Sequence, residues 1–226
     1  MSNTRITNRF KTEQVKTARG RKISSIKWLQ RQLNDPYVKE AQKRGYRSRA
    51  VFKILEINDK FKLFKKGYKV LDLGSAPGGW SQTIVNVVGE GNVLAIDLLK
   101  MEPIPGVKFI QKNFLDDDAK DVLLGEMGGQ KYEVVVSDMA ANTTGDKKTD
   151  NLRTSNLVEN ALDFAIQVLK DGGSFVAKVF QGGAEKTIFD KLKANFKMVK
   201  HFKPESSRKD SVEMYVVAKD FKGKIE

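Results

Sequence analysis

The stretch Asp72-Leu-Gly-Ser-Ala-Pro-Gly-Gly-Trp80 follows a short apolar run at residues 69–72 and precedes a helical pattern that begins at Trp80. Its glycines permit a sharp turn and let a ligand approach the backbone with no Cβ in the way. In an open α/β sheet, the loop at the carboxyl end of the first strand is the expected place for a nucleotide-like ligand. The stretch therefore predicts both the class of the fold and the position of a binding site.

The spacing within this loop disfavours two well-known nucleotide-binding motifs. A P-loop requires Gly-Lys-Ser/Thr, which is absent, and a dinucleotide fingerprint requires a glycine where Ala76 stands. Asp97 ends the second predicted strand, where a carboxylate can accept both hydroxyls of a ribose. The residues thus favour an adenosine ligand without a diphosphate, such as S-adenosylmethionine. A plain turn at Gly78 and Gly79, with Asp97 as a helix cap, stays open as the alternative.

After Gly67 the sequence alternates short β-rich runs with helical patterns, which predicts a mostly parallel sheet with helices on both faces, a Rossmann-like α/β fold. The predicted strands cover residues 69–72, 92–97, 107–111, 132–138 and 174–180, and the predicted helices cover residues 80–88, 119–127, 152–169 and 185–196. Only a loop joins the last two apolar runs, at 198–202 and 212–219. This short connection predicts an antiparallel pair at the end of the sheet.

Helical signals also precede the sheet. Ile26, Leu29 and Leu33 have helical spacing, and Asp35-Pro36 is typical of the start of a second helix. Ser48 is expected to cap a third helix. Residues 1–24 show no apolar periodicity and are expected to form a disordered basic arm. The predicted organisation is therefore an arm at 1–24, a basic helical segment at 25–66 and a main domain at 67–226.

The excess positive charge lies in the first third of the chain. The 226 residues include 41 Lys and Arg against 28 Asp and Glu, a net charge of +13, and residues 1–66 alone hold 19 basic and 5 acidic residues. This asymmetry predicts a polyanionic partner, and basic helices favour nucleic acid. A solubilising tail or an organellar targeting peptide at residues 1–22 remains an alternative for the arm.

Composition excludes several classes of protein. No apolar run approaches the roughly 18 residues that span a bilayer. The absence of cysteine excludes a disulfide scaffold, a Cys-ligated zinc site and a thiol nucleophile. The single histidine, His201, is interpreted as structural or solvated, and no metal site is expected. No secretory signal is evident, so we expect a cytoplasmic protein, with the mitochondrial matrix as the alternative location. We also expect a monomer.

Four separated motifs, in a fixed order, carry a resemblance to a known family. They are DLGSAPGGWSQ from residue 72, SDMAAN from 137, FVAKVFQG from 175 and SSRKDSVEMY from 206. With WLQRQLNDPYVKEAQKRGYRSRAVFK from residue 28, the chain resembles the FtsJ-type ribosomal RNA 2′-O-methyltransferases, and most closely those that methylate a uridine ribose in 23S rRNA. The resemblance spans roughly residues 28–218 and implies an S-adenosylmethionine-dependent methyltransferase fold.

The resemblance implies a catalytic set of two lysines and two carboxylates, at Lys53, Asp138, Lys178 and Glu213. The implied reaction moves a methyl group from a sulfonium to a ribose 2′-hydroxyl, and we assign Lys178 as the base that takes the hydroxyl proton. A lysine becomes a usable base only if its pKa falls, through burial or through a second cation nearby.

The resemblance also implies a cofactor site for S-adenosyl-L-methionine. The implied cofactor-binding residues are Gly74, Gly78, Trp80, Asp97, Asn113 and Asp138. Asn113 stands where the family commonly has an aspartate at the adenine, and its amide can both accept and donate a hydrogen bond. Ala141 stands where the family usually has proline.

The implied partner is ribosomal RNA on the assembling large ribosomal subunit. Residues 26–66, including Lys43, Arg44 and Arg47, would contact RNA phosphates, which carry no base information by themselves. A tRNA ribose 2′-O-methyltransferase of the same fold and a non-catalytic rRNA-binding assembly factor are the alternatives. A nicotinamide oxidoreductase is disfavoured by the missing G-x-G-x-x-G.

Overall fold

The computed structural model describes residues 13–15, 20, 23–141, 144–180, 185–208 and 211–223. Within these residues, three helices precede a seven-stranded sheet that alternates with four further helices. The strands are β1 (Val70–Leu73), β2 (Val93–Asp97), β3 (Val107–Gln111), β4 (Tyr132–Ser137), β5 (Leu169–Phe180), β6 (Phe196–Phe202) and β7 (Glu213–Phe221). The helices are α1 (Ile23–Leu33), α2 (Pro36–Lys43), α3 (Val51–Phe61), α4 (Gly79–Val88), α5 (Ala119–Met127), α6 (Lys147–Val168) and α7 (Glu185–Asn195).

The strand order is β3-β2-β1-β4-β5-β7-β6. Strands β1 to β5 pair in parallel, whereas β7 runs antiparallel to both of its neighbours, β5 and β6. The predicted mostly parallel α/β fold and its antiparallel terminal pair are therefore confirmed. Because β1 lies between β2 and β4, the strand order reverses there and a crevice opens at the carboxyl ends of these strands.

Two apolar cores cover the two faces of the sheet. Helices α5, α6 and α7 pack on one face, where Leu162 and Phe164 of α6 are fully buried. Helices α3 and α4 pack on the other face through residues such as Ile57 and Ile84. Each such side chain contributes about 1.5–3 kcal/mol when it leaves water. The sheet is thus a rigid base from which the loops at its carboxyl edge project.

The second helix begins as predicted. Asp35 caps α2, since its Oδ1 accepts a hydrogen bond from the backbone N–H of Tyr37 at 3.0 Å, and Pro36 is the first helical residue. The arm predicted at residues 1–24 lies largely outside the described residues. In the described part of the arm, the backbone N–H of Glu13 donates to the side chain of Asn34, and that of Val15 donates to the side chain of Gln30. This part therefore lies along the end of α1.

The prediction that Ser48 caps α3 was wrong. The helix begins at Val51, after Ala50, and has no side-chain cap. Ser48 instead lies against α4, because a Cβ added to Gly79 would come within 2.5 Å of the Ser48 hydroxyl. The glycine therefore allows the start of α3 to approach α4 closely.

The described residues form neither a membrane-spanning helix nor a cluster of metal ligands. No helix among them is both long and apolar enough to cross a membrane. No cluster of three or more His, Cys, Asp or Glu side chains with the geometry of a metal site occurs in the same part of the chain.

Candidate active site

A cleft of about 650 Å³ opens at the carboxyl ends of the central strands. Loops after β1, β2, β3 and β4 form one wall, and α6 contributes Arg153, Asn156 and Leu157 to the other. The predicted site residues that line this cleft are Gly74, Asp97, Asn113, Asp138 and Lys178. Its volume falls within the range of small-molecule sites, about 300–1,000 Å³.

Gly74 lets two loops of the cleft approach each other. Its φ is +78°, a left-handed conformation that favours glycine. A Cβ at this position would lie 2.6 Å from Cγ and 3.0 Å from Cα of Met139, which follows Asp138. The loop after β1 therefore packs directly on the loop after β4, and the cleft wall at this point is bare backbone.

Two polar side chains are fixed at the ends of β2 and β3. Asp97 accepts hydrogen bonds from the backbone N–H of Ala76 at 2.9 Å and of Leu99 at 2.7 Å, one on each carboxylate oxygen. Asn113 accepts one from the backbone N–H of Leu115 at 3.1 Å. A carboxylate has about four lone-pair sites, so Asp97 retains capacity for two ligand hydroxyls after these bonds.

Two lysine–carboxylate pairs meet beside the cleft. Lys178 Nζ lies 3.1 Å from Asp138 Oδ1, and Lys53 Nζ lies 3.2 Å from Glu213 Oε2. Both lysines are only 7% exposed. The register of β5 and β7 explains the convergence, because Lys178 pairs with Tyr215 and the end of β5 pairs with Glu213. The structure thus brings together all four residues of the predicted catalytic set.

The charges of this cluster balance. Burial alone would raise the pKa of Asp138, but Lys178 and Lys53 outweigh it and hold the pKa of this carboxyl below its ordinary value. Burial alone would likewise raise the pKa of Glu213. Lys53 and Lys178 outweigh burial, so the pKa of Glu213 is also below its ordinary value. Both carboxylates are therefore ionised at neutral pH. Buried ion pairs are costly to assemble, so such a cluster in a cleft is typical of a functional site.

Tyr215 is a member of the cluster that sequence reasoning missed. Its hydroxyl donates to Asp138 Oδ1 at 2.6 Å, and its ring is fully buried. Burial, reinforced by the Asp138 carboxylate, raises the pKa of Tyr215 well above its ordinary value, so the hydroxyl stays protonated. A signal was available, since Tyr215 stands two residues after Glu213 and alternate residues of a strand share a face.

Gly78 and Trp80, predicted to bind the cofactor, do not line the cleft. Trp80 is buried against Tyr215 at 5.6 Å between ring centroids, and its indole N–H donates to the carbonyl of Ala50 at 2.9 Å. A Cβ on Gly78 would lie 2.8 Å from the side chains of Ile104 and Met101. After residue 77 the chain turns away from the cleft into α4. Gly78 and Trp80 therefore contact neighbouring protein side chains and backbone instead of the cleft.

Asp72 is a second residue that the sequence did not single out as a site residue. It is completely buried at the carboxyl end of β1, where one carboxylate oxygen accepts from the Ser81 hydroxyl at 2.6 Å. Its other oxygen, Oδ1, has no hydrogen-bond partner among the described residues. Burial, with smaller contributions from Asp138 and Asp97, raises the pKa of Asp72 to about 7.

Comparisons with known proteins bear on this site. Residues 46–221 match the sequence profile described as FtsJ-like methyltransferase. A protein of Rhodopseudomonas palustris strain BisB5 and one of Maricaulis maris strain MCS10, both named ribosomal RNA large subunit methyltransferase E, are 58% and 56% identical to this chain. These alignments cover 92% and 93% of this chain, and 90% and 75% of the relatives.

A solved structure shares the architecture. The crystal structure of a chain named as a ribosomal RNA methyltransferase, from Plasmodium falciparum, superposes with a TM-score of 0.70 at 31% identity. The superposition covers 79% of this chain and 100% of the other. The fold described above therefore has a counterpart in a solved protein.

Proposed function

This chain belongs to the FtsJ-like methyltransferase family, and we propose that it transfers a methyl group from S-adenosylmethionine to the 2′-hydroxyl of a uridine ribose in large-subunit (23S) rRNA. The single observation that carries the proposal is the buried Lys178–Asp138 pair beside a cleft of nucleoside size. The name shared by the relatives supports rRNA as the substrate. Because both relatives come from bacteria, we place the reaction in the cytoplasm.

The residues of the cleft fit the proposed cofactor. Asp97 would accept the ribose hydroxyls, Asn113 would contact the adenine and Gly74 would let the cofactor lie against bare backbone. Asp138 would then face the methionine end. When bound, S-adenosylmethionine supplies a methyl group on a positively charged sulfur atom.

Lys178 would act on the hydroxyl of the substrate. A ribose hydroxyl is a poor nucleophile until its proton is removed or shared, and a positioned base contributes typically 100- to 10,000-fold to such a step. We assign this role to the neutral amine form of Lys178, which takes the hydroxyl proton as the oxygen bonds to the methyl carbon and the bond from that carbon to the cofactor sulfur breaks. Asp138 orients Lys178, while Glu213 holds Lys53 next to the same centre.

Replacing Gly74 with alanine is expected to weaken cofactor binding about tenfold. The new Cβ would clash with Met139 at a positive φ that favours glycine, so the loop after β1 would have to leave the position in which the cofactor would lie against it; a loss of about 1.4 kcal/mol is a factor of ten. Calorimetry with S-adenosylmethionine measures this loss. The control is Gly125→Ala in α5, where an added Cβ meets nothing within 4 Å. Equal affinity in the two variants would contradict the assignment of Gly74 to the cofactor site.

Helices α1 to α3 would form the RNA-binding segment. Lys43 and Arg44 are exposed at the end of α2. Arg47 differs from these two residues, because its guanidinium donates to the backbone carbonyls of Pro77, Glu102 and Pro103. Reversing the charge of Arg47 would disturb the loops beside the cleft, so a test of RNA binding should leave it in place.

Reversing two exposed charges, with Lys43→Glu and Arg44→Glu together, is expected to weaken RNA binding. The plot of log affinity against log salt concentration has a negative slope, and each lost phosphate contact reduces its magnitude by about 0.7–0.9. The magnitude for the double variant should therefore be smaller than that of the wild type by about 1.5 or more. Filter binding at several salt concentrations measures it. Lys197→Glu with Lys200→Glu, an equal charge change at exposed positions of β6 and outside residues 26–66, serves as the control. An equal loss of slope in both double variants would show that α2 has no special place in RNA binding.

Mapping the methylated nucleotide tests the proposed function directly. The protein is incubated with labelled S-adenosylmethionine and with large subunits or 23S rRNA from cells that lack this gene, or with tRNA. Mass spectrometry of nuclease digests should find a 2′-O-methyluridine in 23S rRNA. A methyl group found only on tRNA would favour the second candidate, and no transfer to any RNA would favour a non-catalytic assembly factor.

A further inference from the structure

The loop between β6 and β7, residues 203–212, is attached to the helices rather than to the sheet. Of its residues, 203–208, 211 and 212 are described. Glu56 of α3 accepts backbone hydrogen bonds from Glu205 at 2.5 Å and from Ser206 at 3.0 Å. Arg49, just before α3, donates to the carbonyl of Ser206. The N–H and the C=O of Ser206 are therefore both held, one by a side chain of α3 and the other by a side chain of the turn before it.

Asp35 extends this attachment to α2. Its Oδ1 caps that helix, while its Oδ2 lies 3.0 Å from Arg49 Nε and 3.2 Å from Arg208 Nη2. Asp35 is 8% exposed, so the charge is removed from water between two guanidinium groups. One carboxylate thus links α2, the start of α3 and the β6–β7 loop. We call the four residues Asp35, Arg49, Glu56 and Arg208 the loop clamp.

Two residues of the loop clamp, Arg49 and Glu56, flank the active-site lysine Lys53 along α3 and the turn that precedes it. Arg49, Lys53 and Glu56 follow the i, i+4, i+7 spacing of neighbours on a helix surface. The outer two contact Ser206, and the middle one pairs with Glu213. The face of α3 therefore contacts both the beginning of the loop and the strand residue that follows it.

Hydrogen bonds within the loop connect its first residue, Lys203, to Ser211 and then to Glu213. Lys203 Nζ donates to the carbonyl of Ser211 at 2.8 Å, and Ser211 Oγ accepts from the backbone N–H of Glu213 at 3.2 Å. A displacement of the loop from α3 would therefore move the backbone at Glu213. Since Glu213 pairs with Lys53, such a displacement would also alter the position of the second lysine beside Asp138.

We propose that Asp35, Arg49, Glu56 and Arg208 are positioning residues that hold Glu213 and Lys53 in place beside the Lys178–Asp138 pair. This inference rests on the proposed methyl transfer, and it concerns groups that touch neither cofactor nor reacting atoms. Buried charge pairs are weak contributors to stability, since their desolvation offsets their attraction. A role in fixing geometry accounts for a buried carboxylate held between two arginines outside the cleft.

A double-mutant cycle between Arg208 and Glu213 tests the proposal. Single-turnover methyl transfer to 23S rRNA is measured at saturating cofactor and RNA for Arg208→Gln, Glu213→Gln and the double variant. We expect Arg208→Gln to lower the rate about tenfold, with unchanged binding of cofactor and RNA, and to lower it little further in the Glu213→Gln background. Arg208→Lys, which can still pair with Asp35, should recover most of the rate. Lys200→Gln on β6, an equal loss of charge, should match the wild type.

Two outcomes would overturn the proposal. These are a wild-type rate for Arg208→Gln at saturating RNA, or an equal fold-loss in both backgrounds. If Arg208→Gln unfolds, Asp35→Asn takes its place, because asparagine preserves the cap of α2 and removes only the charge. Failure of the proposed function is distinguishable, since the wild-type protein itself would then transfer no methyl group to rRNA.

Discussion

Replacing Lys178 with methionine is expected to lower the rate of methyl transfer by about 100- to 10,000-fold, the usual contribution of a positioned base. Methionine retains an unbranched apolar stem of similar length, so the packing of β5 is preserved and only the amine is lost. Cofactor affinity should stay within a few-fold of the wild type. Single-turnover kinetics at saturating substrates measures the chemical step, and calorimetry measures cofactor binding.

The matched control for this experiment lies on the same strand. Lys170 pairs with Glu133 at the exposed start of β5, far along the strand from the cleft. Lys170→Met should therefore transfer methyl groups at the wild-type rate. A Lys178→Met variant that kept a rate within about threefold of the wild type would remove Lys178 from the chemistry, and with it the assignment of the base.

Asp72 is expected to make the free energy of unfolding depend on pH between 5 and 7. Its pKa is raised to about 7 in the native state, so the folded protein binds this proton more tightly than the unfolded chain does. The stabilisation from the protonated carboxyl is complete below about pH 4 and is lost as the pH rises to the folded pKa. At 1.36 kcal/mol per pH unit, the loss between pH 5 and 7 is about 2–3 kcal/mol.

Urea unfolding of Asp72→Asn and wild type at pH 5, 6, 7 and 8 isolates this contribution. Asparagine keeps an oxygen that can accept from the Ser81 hydroxyl but has no proton to lose, so the variant should gain stability relative to the wild type as the pH rises. All other titrating groups cancel in the difference. Asp59→Asn, which removes an exposed carboxylate, is the control. A difference between Asp72→Asn and wild type that stays constant with pH would contradict the prediction.

The alternation of apolar runs and helices was enough to predict the sheet. Strand β3 and helix α5 have the predicted bounds. Strands and amphipathic helices each produce a characteristic repeat of apolar residues, which can be recognised in the sequence. Helix α6 begins five residues earlier than its apolar pattern indicated. Its first turn is polar, and the signal for its start was the cap at Asp146, which accepts from the backbone N–H of Thr149 at 2.8 Å.

The site was less predictable because it depends on contacts between distant segments. The resemblance pointed to Lys53, Asp138, Lys178 and Glu213, and the fold brings them together through the register of β5 and β7. The complete burial of the Asp72 carboxylate leaves no signal in the neighbouring sequence, so its raised pKa could not be inferred. The loop geometry that turns Trp80 away from the cleft likewise depends on its packing against α3.

Among the described strands, β7 is synthesised last, yet it lies between β5 and β6 in the sheet. Until residue 221 has left the exit tunnel of the translating ribosome, β5 and β6 both present unpaired edges, which are templates for aggregation. At that stage Glu213 and Tyr215 have not yet joined the cluster around Asp138. A chain terminated before β7 would therefore lack part of the proposed active site and would be prone to aggregate.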